Sequence, residues 1–282
     1  MLWLYPARWF IIIRCSLGLL GVGEGAGLIS VTAAEADQAE RPQKGAAFEI
    51  KDLNLAMVWV EPGKFLMGSP ASEAARDQAE GPQTRVTISQ GFWLGQTEIT
   101  QAQYEAMTGE NPSAFKAAGD TAPVDHVSWI MAMDYCRRLT ARETEAGRLP
   151  QGYEYTLPTE AEWEYVYRAG TQTEYVGPPD GIGWIESNSM GTTHSVGKKE
   201  QSPWGFYDLA GNVLEWCYDW YGRYPGGEVT DPVGPRRGHY RMARGGCWRM
   251  NGEITRCAAR AGGSAGRIDY TLGFRIALGR KR

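Results

Sequence analysis

Thirteen consecutive residues, Gly205-Phe206-Tyr207-Asp208-Leu209-Ala210-Gly211-Asn212-Val213-Leu214-Glu215-Trp216-Cys217, constrain the fold of this chain more than any other stretch. The run holds two glycines, two acids, an amide and bulky aromatics. A regular helix does not suit that mix, because each glycine costs about 1 kcal/mol in a helix interior. Nor do apolar and polar residues alternate as in a half-buried strand. The composition predicts a compact loop anchored by Trp216, with carbonyls and carboxylates turned inward. Hard cations such as calcium prefer oxygen-rich surroundings of that kind. The competing reading is a tight turn in which Asp208 and Glu215 bond backbone amides.

The rest of the chain fits a loop-rich domain. Its 282 residues suffice for one large domain or two small ones, and a hydrophobic fraction of 43% is ample for a core. Eleven tryptophans beside 36 glycines point to stability from aromatic anchors, not from long amphipathic helices. The net charge is −4 and no basic block stands out, so nucleic acid is not expected as a partner.

Residues 1–36 read as a signal peptide. Arg8 gives a positive start, and Trp9 to Gly23 is an apolar run of secretory length, too short to span a bilayer stably. Ala34-Glu35-Ala36 offers a small-x-small cleavage site. Arg14 and Glu24 are unusual in such a leader, and a misplaced start or a short retained anchor is the alternative. Cys15 lacks the preceding L-x-G of a lipoprotein. Residues 37–47 are polar, without periodicity, and read as a linker. The folded domain is expected over 48–282.

Within it, 58–60 and 64–67 read as strands joined at Glu61-Pro62-Gly63, followed by strands at 84–88 and 92–94. Thr100 and Gln103 form a capping box for a helix to about Met107. Ser128 caps a second helix, with Trp129, Met133 and Cys136 on one face. Thr159 and Glu162 open a third through Tyr167, stopped at Gly170. Glu160 and its neighbours are expected to serve that cap. Beyond 171 little regular structure is expected apart from short strands at 240–248 and 272–278.

The 205–217 segment resembles the G-L-Y-D-M-x-G-N-V-W-E-W motif of the formylglycine-generating enzymes, also called sulfatase-modifying factors. Seven further segments follow the family's order: 57–69, 95–104, 123–129, Leu157-Pro-Thr-Glu-Ala-Glu-Trp-Glu-Tyr165, Arg244-Gly-Gly246, Arg256-Cys-Ala-Ala-Arg260 and Leu272-Gly-Phe-Arg275. The resemblance runs from about residue 54 to 278. It implies an α+β domain with little regular secondary structure, similar to the C-type lectin fold.

In the family the loop matching 205–217 binds calcium. The resemblance carries that role to the Asp208 side chain, the Gly211 and Val213 carbonyls and the Glu215 carboxylate. The family's second calcium loop corresponds to 188–198, which offers no acidic partner and is not carried over.

The family's oxidase chemistry converts a sulfatase cysteine to formylglycine with oxygen and a copper ion held by two thiolates. Soft thiolates select Cu(I). After Arg-Gly-Gly the family reads S-x-x-C, with a second cysteine five residues on. Here the serine position is Cys247, the first copper cysteine falls on Met250, and the second has no counterpart. Cys247 is the one candidate catalytic residue, and copper is not expected. His126, His194 and His239 show no metal-ligand spacing, and the H-x3-H-x-E motif of the iron-dependent sulfoxide synthases is missing.

Positions matching Cys136 and Cys257 form disulfides in the oxidase relatives, but their partners fall on Ile276 and Tyr167 here. Cys136 is therefore expected as a buried free thiol. Cys257 is expected to re-pair, with Cys217 preferred over Cys247.

The functional expectation is an exported bacterial-type monomer, periplasmic or secreted, acting as a binding or accessory domain for a protein or glycan. The alternative is an oxidoreductase of the formylglycine-generating-enzyme family, acting on a protein cysteine or a small molecule. The groove around Cys247, Arg260 and Arg275 discriminates: an unpaired arginine would point to an anionic ligand, and a filled groove to none.

Overall fold

A computed structural model describes residues 41–282, so the expected signal peptide lies outside the described residues. The strands are short and divide among several sheets. A five-stranded antiparallel sheet has the order β1 (Phe48–Ile50), β2 (Leu55–Val60), β5 (Phe92–Gly95), β14 (Ala277–Arg280), β6 (Tyr153–Thr156). It joins the start of the domain to its end. A second sheet sets β4 (Thr84–Ile88) between β3 (Gly63–Met67) and β10 (Glu228–Thr230). The two strands flanking Glu61-Pro62-Gly63 thus belong to different sheets: the turn redirects the chain and closes no hairpin.

The segment 205–217 is only partly the expected loop. It contains β8 (Ala210–Gly211), which pairs with β7 (Gly183–Trp184), and the start of β9 (Leu214–Trp220). β9 is central in a third sheet of order β12 (Ala261–Gly263), β11 (Arg241–Arg244), β9, β13 (Leu272–Gly273). Glu215, Trp216 and Cys217 are all fully buried, so both faces of the strand are covered and the polar–apolar alternation is lost. The irregular part keeps its tight geometry. Asp208, Gly211 and Asn212 have φ of 55°, 75° and 52°. A Cβ on Gly211 would stand 2.1 Å from the Trp184 carbonyl oxygen, so that position requires glycine.

The helices start where their caps predict. α1 (Gln101–Thr108) opens on the reciprocal Thr100–Gln103 bonds, 3.3 Å and 2.9 Å. α2 (Trp129–Glu145) starts from Ser128, and α3 (Glu160–Arg168) from the Thr159–Glu162 box. Ala169, with φ 45°, takes the left-handed position that ends α3, one residue before Gly170. A short helix, α4 (Pro179–Ile182), precedes β7. One core cluster packs α2 and the five-stranded sheet around Trp93, Tyr135, Trp216 and Phe274, and a second packs α3 around Trp163, Phe206 and Leu209.

Candidate functional site

Three buried carboxylates, Glu98, Asp208 and Glu215, surround the buried guanidinium of Arg275. β9 delivers Glu215, and the turn before β8 delivers Asp208. Glu98 sits ahead of the α1 cap. Arg275 Nε and Nη2 donate to Glu215 Oε2 and Oε1, both at 2.6 Å, and Trp163 Nε1 donates to Oε2 at 2.7 Å. Arg275 also reaches the Gly95, Tyr207 and Asp208 carbonyls at 3.1, 2.9 and 3.3 Å. Glu98 accepts from Asn212 Nδ2 at 3.0 Å and from the Val213 amide at 3.1 Å. Asp208 Oδ2 accepts from the Gly197 amide at 2.6 Å, while its buried Oδ1 has no partner.

One guanidinium against three carboxylates leaves negative charge uncompensated. Burial pushes the Glu98 acid well above its ordinary range, and the neighbouring Asp208 and Glu215 add to the rise. Burial also raises Asp208. Of the expected calcium donors, Asp208, Gly211, Val213 and Glu215 share this neighbourhood. Asp208 Oδ1 is free to bind a cation, whereas both oxygens of Glu215 already hold Arg275 and Trp163. Among the described residues no three His, Cys, Asp or Glu side chains converge as metal ligands, so a cation here would lean on backbone carbonyls. Sequence reasoning missed Glu98, which lies inside the matched segment 95–104 but was overshadowed there by the helix cap.

The second region surrounds Cys247. Its side chain is fully buried, and burial pushes the thiol up to about 11. Met250 packs partly buried against the same core. The residue after Cys247, Trp248, belongs to an aromatic cluster. Phe115 meets Trp248 edge-on at 5.2 Å and Tyr270 at 6.2 Å, and Trp248 and Tyr270 are 6.0 Å apart. Arg249 donates to the Tyr270 hydroxyl at 2.6 Å and lies over both rings. Tyr270 and Arg249 are exposed. No spacing in the sequence brings residues 115, 248 and 270 together; the packing of three loops does.

The arginines named with Cys247 are both paired. Arg260 makes two bonds to Glu160, 2.6 and 2.7 Å, and Arg275 is held by Glu215. Glu160 therefore does not cap α3, a task left to Glu162. It joins a buried network in which Tyr224 donates to it at 2.9 Å, Arg168 and Arg244 bind Glu164, and Arg256 binds Glu80. The Arg256–Arg260 motif holds the fold together.

The cysteine expectation needs one correction. Cys136 is a buried free thiol as expected, but Cys217, Cys247 and Cys257 are free as well. Cys217 points back along its own strand toward the Glu215 carbonyl, at 3.8 Å. Cys257 lies near Tyr167 and Arg168, and no bond joins it to Cys217.

Fold and sequence agree on the class of protein. The profile of the sulfatase-modifying factor enzyme 1-like domain matches residues 45–279, and the chain belongs to that family. Mouse formylglycine-generating enzyme is 27% identical over 292 residues, covering 78% of this chain and 74% of that protein. A Chlamydia caviae protein named serine/threonine-protein kinase pkn1 is 33% identical over 257 residues, covering 80% of this chain. The chain spans only 38% of that protein's length. Among solved structures, Treponema denticola variable protein 1 superposes with a TM-score of 0.72 at 26% identity, covering 82% of this chain and 98% of that one. The fold is the formylglycine-generating-enzyme-like α+β domain.

Proposed function

We propose that the domain binds a protein or glycan as an accessory module, with the Phe115–Trp248–Tyr270 face as its contact surface. One observation carries this reading: Cys247, three residues before the Met250 that the family resemblance sets at the first copper-thiolate position, is buried and its thiol is pushed up to about 11. A copper-thiolate oxidase needs two deprotonated sulfurs. What reaches solvent instead is an aromatic cluster bordered by an arginine, the residue types that dominate binding hot spots. Occurrence of the domain within a longer kinase-named relative supports an accessory role. Glycan and peptide arrays probed with the wild type and with Trp248→Ala/Tyr270→Ala test it. The double variant is expected to lose about tenfold or more of any binding. Equal binding by both proteins would remove this face as the contact surface.

An oxidoreductase of the family is the second reading. It is favoured by the presence of a cysteine, Cys247, where the family has serine, and by the likeness to mouse formylglycine-generating enzyme.

We also propose a structural calcium ion at Asp208, the Gly211 and Val213 carbonyls and Glu215. The unpartnered Asp208 Oδ1 and the excess of buried carboxylates support it. Glu215 would contribute through its hold on Arg275 as much as by direct contact. The export reading, which puts a monomer in the periplasm or outside the cell, rests on the leader sequence and is tested by N-terminal sequencing of the mature protein.

A further inference from the structure

Nine of the ten residues from Asp231 to Tyr240 are exposed. They close an excursion that leaves the end of β9 and returns to β11. The two ends run side by side: the Tyr221 amide donates to the Tyr240 carbonyl at 2.7 Å, and Arg241 pairs in register with Trp220. The approach is close. A Cβ on Gly222 would stand 2.8 Å from Pro235, and one on Gly238 would stand 2.9 Å from Trp220. The backbone at Arg223 thereby runs next to the stretch that carries Arg236 and Arg237, and all three residues are exposed.

None of these arginines has a carboxylate partner among the described residues. The acids of the same excursion face other groups. Asp231 accepts from the Ser89 amide and hydroxyl, and Glu228 faces Arg85 at 3.5 Å. Asp77, on the far wall of the groove beside Arg223, accepts from the Ala79 amide at 2.7 Å. The result is a positive face on a chain of net charge −4. Two large apolar side chains stand exposed on the same stretch, Val233 at 42% and Tyr240 at 57%.

We propose that this face docks on an anionic lipid surface. Arginines at phosphate level, with a tyrosine ring and an aliphatic side chain beside them, match the boundary between headgroups and acyl chains. Arg236 and Arg237 lie on an exposed stretch anchored at both ends, which meets a plane more readily than it encloses a peptide. The opposite net charge of the whole molecule orients this face toward the membrane and turns the rest away. Each basic residue near such a surface contributes about fivefold, so three contribute roughly a hundredfold. The attraction falls with added salt.

The test is co-sedimentation of the full chain with vesicles of phosphatidylcholine alone and of phosphatidylcholine mixed with phosphatidylglycerol. Binding is expected to the mixed vesicles only, and to drop by roughly a hundredfold in Arg223→Ser/Arg236→Ser/Arg237→Ser. Tyr240→Ser should weaken it further, with melting temperatures unchanged throughout. The apolar N-terminal run is common to all variants, so binding that it drives would survive the triple substitution and overturn the proposal. Equal binding to both kinds of vesicle would do the same. Tighter binding to polyglutamate than to the anionic vesicles would replace the membrane with an acidic protein as the partner.

Discussion

Glu215 and Arg275 are fully buried and meet through two 2.6 Å contacts, with Trp163 donating to the same carboxylate at 2.7 Å. Each comes from a segment whose resemblance to the family was plain, yet their pairing was not foreseen. Removing one partner breaks a buried charge pair and strands the hydrogen-bonding groups of the other, at a cost of about 3–5 kcal/mol. Glu215→Gln should therefore lower the melting temperature by roughly 10 °C for a domain of this size. Arg275→Lys keeps the charge but loses the two-pronged geometry and should also destabilise. Thermal melts of both variants check this, and a melt of Glu215→Gln within a degree or two of wild type would refute it.

Calcium would make stability depend on chelation. A ligand bound only by the folded state adds a few kcal/mol when well above its dissociation constant. A chelator should thus lower the wild-type melting temperature by several degrees. Asp208→Asn, which weakens the carboxylate carrying the unpartnered Oδ1, should abolish most of that difference. Melting curves of the wild type that coincide with chelator and with excess calcium would eliminate the ion.

The helices were legible because their caps are local. Thr100, Ser128 and Thr159 each announce a start within four residues, and the chain obeys them. β9 was not legible, because covering both faces erases the alternation that marks a strand. The site was legible residue by residue only where the family motif covers it, as at Asp208 and Glu215. Glu98 and the cluster of Phe115, Trp248 and Tyr270 depend on contacts between distant segments. The role of Glu160 was misread for the same reason. Its partner, Arg260, stands 100 residues away.

Asp219 makes stability depend on pH. Burial, then the nearby Glu160, push its acid up to about 8, while its Oδ2 accepts from the Glu160 amide at 2.9 Å. A carboxyl raised in the folded state holds a proton that the unfolded chain gives up near pH 4. Its contribution is complete below that value and is lost as pH rises through about 8. Wild-type protein should accordingly melt several degrees lower at pH 9 than at pH 6. Asp219→Asn keeps the acceptor and removes the titration, so its melting temperature should change less over the same interval. An identical pH dependence in the variant would place the effect elsewhere.

Four buried free thiols should be slow to react. Burial pushes Cys257 up to about 12 and Cys247 up to about 11, and raises Cys136 and Cys217 as well. Thiolate is the reactive form, so a thiol reagent should titrate almost none of these cysteines in the native protein and all four after denaturation. Non-reducing peptide mapping of the same sample should find no linked pair. A Cys217–Cys257 peptide would show that the fold admits the bridge after all.

The oxidase activity of the family should be absent. Cu(I) held for oxygen chemistry needs two nearby thiolates in a low-coordinate site. Met250 offers only a neutral thioether, Cys247 is fully buried with its thiol pushed up to about 11, and Cys257 sits beside Tyr167 and Arg168. Protein loaded with Cu(I) should leave a sulfatase-type Cys-x-Pro-x-Arg peptide unconverted, as read from the peptide's mass. Turnover that vanishes in Cys247→Ser would overturn this expectation and assign the copper role to Cys247 with a second ligand supplied by local rearrangement. Turnover that persists in Cys247→Ser/Cys257→Ser would instead require an oxidative route independent of both thiols. The aromatic face would then be a substrate surface, and Trp248→Ala should lower turnover as well as binding.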